Sequence, residues 1–125
     1  MRILFVENHS VFAETVIIEF LHGHGVTLVG TCAEAQAAEL KSFDAVLVDY
    51  DLDDGKGDAV VRRLRESGFQ GPIVAVSSHD DGNAALLTAG ASVACKKSRF
   101  REVPALLQQL LADLETRLDQ PRQWD

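Results

Sequence analysis

Five times along the chain, a short run of β-branched and aliphatic residues is followed by a stretch with helical spacing, and this alternation limits the fold more than any other feature. Strand-like runs occupy residues 2–6, 26–29, 45–48, 72–76 and 91–96. Helical spacing covers 11–21, where Phe12, Val16 and Phe20 recur, and then 33–40, 58–66, 82–89 and 104–118. Strict alternation of this kind predicts an α/β domain with a five-stranded parallel sheet and right-handed crossovers. The third run, Ala45-Val46-Leu47-Val48, is apolar at every position, as a strand covered on both faces should be. Asp58 suits the cap or first turn of its helix, Gly68 its end, and Pro104 the opening turn of the last helix. Val103, Leu107, Leu110, Leu114 and Leu118 give that helix a core stripe, and Leu106 and Leu111 lie beyond it as a candidate partner face.

A chain of 125 residues suits one compact domain, expected over residues 1–118, with a polar tail at 119–125 that contains Pro121. No linker and no second domain are expected. With 46% hydrophobic and 25% charged residues, the composition argues against disorder, fibres and repeat arrays. The apolar runs are too short to span a bilayer or to act as a secretion signal, so the expectation is a cytoplasmic protein without membrane contact. A net charge of -7 repels phosphate backbones, and direct nucleic-acid binding is not expected. The one basic cluster, Lys96-Lys97-Ser98-Arg99 with Arg101, has a better use below. Cys32 and Cys95 read as plain thiols.

In an open α/β sheet, ligands bind beyond the carboxyl ends of the strands, so the residues that leave each strand carry the chemistry. Glu7-Asn8 follow the first strand, Asp49 the third, Ser77-Ser78 the fourth, and Lys96-Lys97 the fifth. Crowded carboxylates invite a divalent cation, and an acidic oxygen donor set with room for water suits Mg2+. Beside such an ion the Asp49 carboxylate is a nucleophile for a phosphoryl donor, giving an acyl phosphate. The Lys97 ammonium and the Ser77 hydroxyl would then meet the charge on the transferred group. Other readings fare worse. Asp49-Tyr50-Asp51-Leu52-Asp53-Asp54-Gly55 resembles the start of a calcium loop, but its glycine is one place late and Val60 stands where a bidentate Glu is needed. His22 and His24 lack partners for a metal and read as a solvated turn. Glu7-Asn8-His9-Ser10 replaces any glycine-rich phosphate loop, which disfavours a nucleotide enzyme.

From Arg2 to about Leu114 the sequence resembles the receiver domain of bacterial two-component response regulators. The motifs are Ile3-Leu4-Phe5-Val6-Glu7-Asn8, Val46-Leu47-Val48-Asp49, Gly57, Pro72-Ile73-Val74-Ala75-Val76-Ser77, and Ala89-Gly90-Ala91-Ser92 followed by Lys97. The resemblance implies a doubly wound, flavodoxin-like sheet of strand order 2-1-3-4-5. It implies Asp49 as phosphoryl acceptor, Ser77 as switch hydroxyl and Lys97 as the phosphate-pairing lysine. The metal set would be Glu7, Asn8, Asp49 and Asp51, the last through its backbone carbonyl. Residues two past the acceptor and two past the hydroxyl tune acyl-phosphate hydrolysis in the family; here they are Asp51 and His79. The chain departs from the pattern at Asn8, usually an acid; at Ser98, usually proline; at Asp53, often proline; and at Ala94, commonly aromatic. Asn8 removes one formal charge and should weaken Mg2+ binding.

The function so implied is a stand-alone phosphorelay signalling module, a phosphoprotein rather than an enzyme with a diffusible substrate. A histidine kinase or histidine phosphotransfer protein would load it, and a downstream protein target would read its conformational switch, with weak homodimerisation allowed. Two rivals are kept: a receiver-like interaction module that has lost phosphate switching, and, more remotely, a small hydrolase built on Asp49 and Glu7.

Overall fold

A computed structural model describes residues 1–119, and in it the alternation closes into a sheet with helices on both faces. The strands β1 (Arg2–Val6), β2 (Gly25–Val29), β3 (Ala45–Val48), β4 (Ile73–Ser77) and β5 (Val93–Lys96) are all parallel. Their order is β2-β1-β3-β4-β5, as the resemblance implied. The helices are α1 (Ser10–Phe20), α2 (Cys32–Ala37), α3 (Gly57–Glu66), α4 (Asp80–Ala89) and α5 (Val103–Asp119).

Successive side chains of each strand point to opposite faces, so one apolar strand feeds two cores. Ile3, Phe5, Leu47 and Val76 pack with Val16 of α1 and with Val103 and Leu107 of α5. Leu4, Val6, Val46 and Ala75 pack with Ala35 of α2, Val61 and Leu64 of α3 and Leu86 of α4. Each fully buried side chain of this size contributes about 1.5–3 kcal/mol, which makes these two layers the main stabilising term.

The differences from expectation have local causes. Helix α2 stops at Ala37, because only Ala35 of its residues is buried and Ala38 turns extended. Leu40 falls instead in a 3-10 turn, Leu40–Ser42. Helix α4 begins at Asp80, where Asp80 and Asp81 complement the positive end of the helix. Asp58 lies in the first turn of α3 with Lys56 at the cap position. A small antiparallel ladder, Asp51–Leu52 with Gly55–Lys56, occupies the loop after Asp49. Asp119 still belongs to α5; the rest of the expected tail, with Pro121 and Trp124, lies outside the described residues. His22 is exposed, whereas the His24 Nδ1 lies 3.0 Å from the N-terminal amine. Cys32 and Cys95 are free thiols. Among the described residues no helix is long and apolar enough to cross a membrane.

One unexpected element fixes the site. A 3-10 turn, Lys97–Glu102, follows β5 and buries Phe100. The Phe100 ring stacks on Phe5 at 5.7 Å and meets Phe12 at 5.9 Å and Phe20 at 6.1 Å. That aromatic anchor holds the exit of β5 against α1.

Gly57 is the backbone position with least tolerance. It is buried under the loop that follows Asp49, its N–H donates to the Tyr50 carbonyl at 2.6 Å, and a Cβ there would overlap the Asp49 carbonyl oxygen. Gly68 instead has a left-handed φ of 92° and open space around it. Urea unfolding should show Gly57→Ala losing about 3 kcal/mol or more by overpacking, against about 1 kcal/mol of backbone strain for Gly68→Ala. Equal losses would contradict the close approach at Gly57.

Candidate functional site

The parallel register places four strand exits on one rim. Val6 pairs with Val48, Val48 with Ala75, and Ser77 with Lys96, so Glu7, Asp49, Ser77 and Lys97 emerge side by side. The backbone continues the ladder to that point, with Glu7 N–H donating to Val29 and Asp49 N–H to Val6, each at 2.9 Å. Glu7, Asp49 and Ser77 are 1%, 6% and 2% exposed, burial that polar side chains tolerate only with partners. The partner is Lys97. Its Nζ lies 2.7 Å from Glu7 Oε1 and 3.2 Å from Asp49 Oδ2, and it sits over the Phe12 ring at 4.9 Å.

One ammonium therefore serves two buried carboxylates. Burial pushes the Glu7 carboxyl up to about 7; Lys97 opposes this and the neighbouring Asp49 adds to it. For Lys97, burial works against the charged form, but Glu7 and Asp49 outweigh it and hold the ammonium above its ordinary range. Glu7 Oε2 accepts the His9 N–H at 3.3 Å. Glu7 Oε1 is fully buried, and although Lys97 is in ion-pair range, no hydrogen bond of acceptable angle reaches it. Two buried carboxylates crowded on one ammonium fit a hard divalent cation.

The rest of the expected metal set is partly engaged elsewhere. Asn8 donates its amide N–H to Asp53 at 3.0 Å, which leaves its carbonyl oxygen as the donor available to a cation. The Asp51 carboxylate is exposed and turned to Lys56, whose hydrogen bond holds it below the usual carboxylate range. Among the described residues no three His, Cys, Asp or Glu side chains gather at metal-ligand spacing. A cation here would thus rest on Glu7 and Asp49, with neutral oxygens completing its shell.

Ser77 is set from behind. Its N–H donates to Asn83 Oδ1 at 3.0 Å, and its carbonyl accepts from Asn83 Nδ2 at 3.1 Å. Its Oγ accepts the His79 N–H at 3.1 Å, leaving the hydroxyl proton free to donate. A Cβ on Gly82 would meet Ser77 Oγ at 2.7 Å and Tyr50 Cβ at 3.0 Å, so the hydroxyl and the loop after Asp49 lie against the same glycine. Asn83, Gly82 and Phe100 all act on the site and were not legible as such in the sequence. Lys96 is peripheral and exposed, 3.2 Å from Asp80, so the basic run does not form a patch. Asp54 accepts the N–H groups of Cys32 at 2.6 Å and Ala33 at 3.1 Å, which lower its pKa and tie the loop after Asp49 to α2.

No family profile matches the sequence. The transcriptional regulatory protein PmrA of Pectobacterium parmentieri is 28% identical over 82 residues, 64% of this chain; the match spans only 37% of that protein. Among solved structures, one similar chain is the receiver domain of a sensor histidine kinase from Pseudomonas aeruginosa PAO1, with a magnesium ion coordinated in its active-site cleft. It is 28% identical, with a TM-score of 0.78 over 89% of this chain and 97% of that one. A CheY-like receiver domain protein from Methanospirillum hungatei JF-1 shares 20% identity with a TM-score of 0.76, over 93% of this chain and 97% of its own. A LuxR-family response regulator from Aurantimonas sp. SI85-9A1 shares 24% identity with a TM-score of 0.77, over 90% and 85% of the two chains. With the strand order and the buried rim already in place, these similarities support a receiver domain, alike in fold and sequence to those of two-component response regulators.

Proposed function

We propose that Asp49 accepts a phosphoryl group in a Mg2+-dependent reaction and that the domain signals through the resulting change of shape. The observation that carries this reading is the contact of Lys97 with both Glu7 and Asp49 inside a buried rim. An Asp49 carboxylate oxygen attacks the donor phosphorus, a new O–P bond forms, and the bond to the leaving group breaks with its electron pair leaving on that group. Lys97 draws the equatorial oxygens toward the pocket floor, and the free Ser77 proton donates to one of them. Bound Mg2+ would supply charge neutralisation between the carboxylates and the phosphoryl oxygens; Glu7, Asp49, the Asn8 carbonyl oxygen and the Asp51 backbone carbonyl are the residues to hold it. The phosphoryl group brings about -1.5 to -2 charge to a rim that is already acidic, which gives Lys97 and Ser77 reason to close on it. The donor is a histidine kinase, a histidine phosphotransfer protein or a small acyl phosphate, and the output is a protein partner.

His79 stands beside this chemistry, exposed at the cap of α4 with its N–H on Ser77. His79 and Asp51 stand two residues past Ser77 and Asp49, the positions at which the resemblance implies tuning of acyl-phosphate hydrolysis, and the two set its lifetime.

The central test is mass spectrometry after incubation with Mg2+ and a small acyl phosphate. The protein should gain one phosphoryl group, Asp49→Ala should gain none, and a gain that survives in Asp49→Ala contradicts the proposal. His79→Ala should change the decay of the phosphorylated form by about twofold or more; an unchanged decay removes His79 from hydrolysis.

Burial of Glu7 fixes the response to pH. Its folded-state pKa lies above the unfolded value of 4.5, so between about pH 4.5 and 7 the folded state keeps a proton the unfolded chain has lost. Without divalent cation, stability should therefore fall as pH rises through that window, by roughly 3 kcal/mol at most, and Glu7→Gln should flatten the slope. A cation must displace that proton, so calorimetry should find Mg2+ binding weaker at pH 6 than at pH 8, by about tenfold. Pure pH independence of both quantities would show that Glu7 is ionised throughout.

A further inference from the structure

The link between Ser77 and α4 is an inward-facing amide, and it has a mechanical consequence. Asn83 is 7% exposed in the first turn of α4, and its side chain occupies both backbone hydrogen-bonding groups of Ser77, at 3.0 Å and 3.1 Å. Buried amide hydrogen bonds of this kind are costly to break because neither partner regains water. The next turn of backbone adds to the grip: the His79 carbonyl accepts the Asn83 N–H at 3.1 Å, while the His79 N–H is on Ser77 Oγ. Gly82 lies between, with no room for a side chain against Ser77 or Tyr50. The polar side-chain tie from β5 to α4 is weak by comparison, although β5 also pairs with Ser77 through Lys96 in the sheet. Lys96 and Asp80 form an exposed ion pair, and Ala94 offers only an exposed methyl group.

We propose that Asn83 is the positioning residue that joins Ser77 and the first turn of α4 into one body, so that a movement of the Ser77 hydroxyl toward Asp49 is delivered to α4. The inference rests on the acceptor role proposed for Asp49 and adds to it the route by which α4 responds. A shift of the Ser77 backbone, carrying the hydroxyl with it, would break two buried hydrogen bonds if α4 stayed behind, whereas a shift of Ser77 with α4 breaks neither and only flexes the ladder end at Lys96. Displacement of the helix is thus the path of lower free energy.

The test is backbone hydrogen exchange with and without Mg2+ and beryllium fluoride, a stable stand-in for the phosphoryl group, compared at equal occupancy of Asp49. In the native protein the ligand should change exchange at Ser77 and across residues 80–86 together. In Asn83→Ala the Ser77 amide should exchange on the order of tenfold faster before any ligand is added, and the ligand-induced change across 80–86 should be lost. Asn83→Asp, which keeps the acceptor for the Ser77 N–H and lacks the donor for its carbonyl, carries the same test should the alanine variant fail to fold; its α4 response should fall at least about twofold. A variant that binds the ligand and keeps the full α4 response overturns the role of Asn83 while leaving the acceptor reading intact. A native protein that shows no mass gain with an acyl phosphate and no exchange change with the stand-in overturns the acceptor reading, and the coupling falls with it.

Discussion

Two buried carboxylates sharing one ammonium are the constraint around which this molecule is arranged. Glu7 and Asp49 leave neighbouring strands on the same rim, and neither has enough water to remain charged cheaply. Lys97 satisfies both only because the turn that follows β5 is pinned by Phe100 in the aromatic cluster of α1 and β1. The result is a pocket with two carboxyls on one ammonium, in which burial pushes Glu7 toward its protonated form. Under the proposed function, such a pocket would take a cation and then a phosphoryl group for the same reason that two carboxylates crowd it without them.

The fold supplies the precision this needs. Parallel strands deliver their ends to one level, and side chains that alternate between two apolar layers leave those ends no freedom to slide without exposing a core face. The loop after Asp49 is held from three directions: Gly57 passes under the Asp49 carbonyl, Asp54 caps the start of α2, and Gly82 gives Tyr50 and Ser77 a common wall. Against this floor stand β4's last residue and α4, the elements proposed to move together, joined by the two Asn83 hydrogen bonds.

Much of this was legible in the sequence. The apolar run at Ala45–Val48 fixed a central strand, and the polar residue after each strand marked the rim, because in this architecture strand ends are the only place where chemistry collects. What was hidden has a common cause: it depends on contacts between residues far apart in the chain. Asn83 reads as an ordinary polar residue in a helical stretch, since nothing local says that its amide turns inward to Ser77. Asp54 reads as a loop acid, since its partners Cys32 and Ala33 lie 22 and 21 residues away. Phe100 falls in a polar stretch between strand and helix, where a single aromatic gives no periodic signal. Asn8, read as a weakened metal ligand, spends its amide nitrogen on Asp53, a pairing that spacing does not disclose.

The measurement that bears most directly on the central claim is a crystal structure of the protein with Mg2+ and beryllium fluoride. It should show the fluoride cluster bonded to Asp49, Lys97 and the Ser77 hydroxyl on its fluorines, and the cation on Glu7. A cluster seated on another carboxylate, or bound to Asp49 with Lys97 turned out to solvent, would contradict the account.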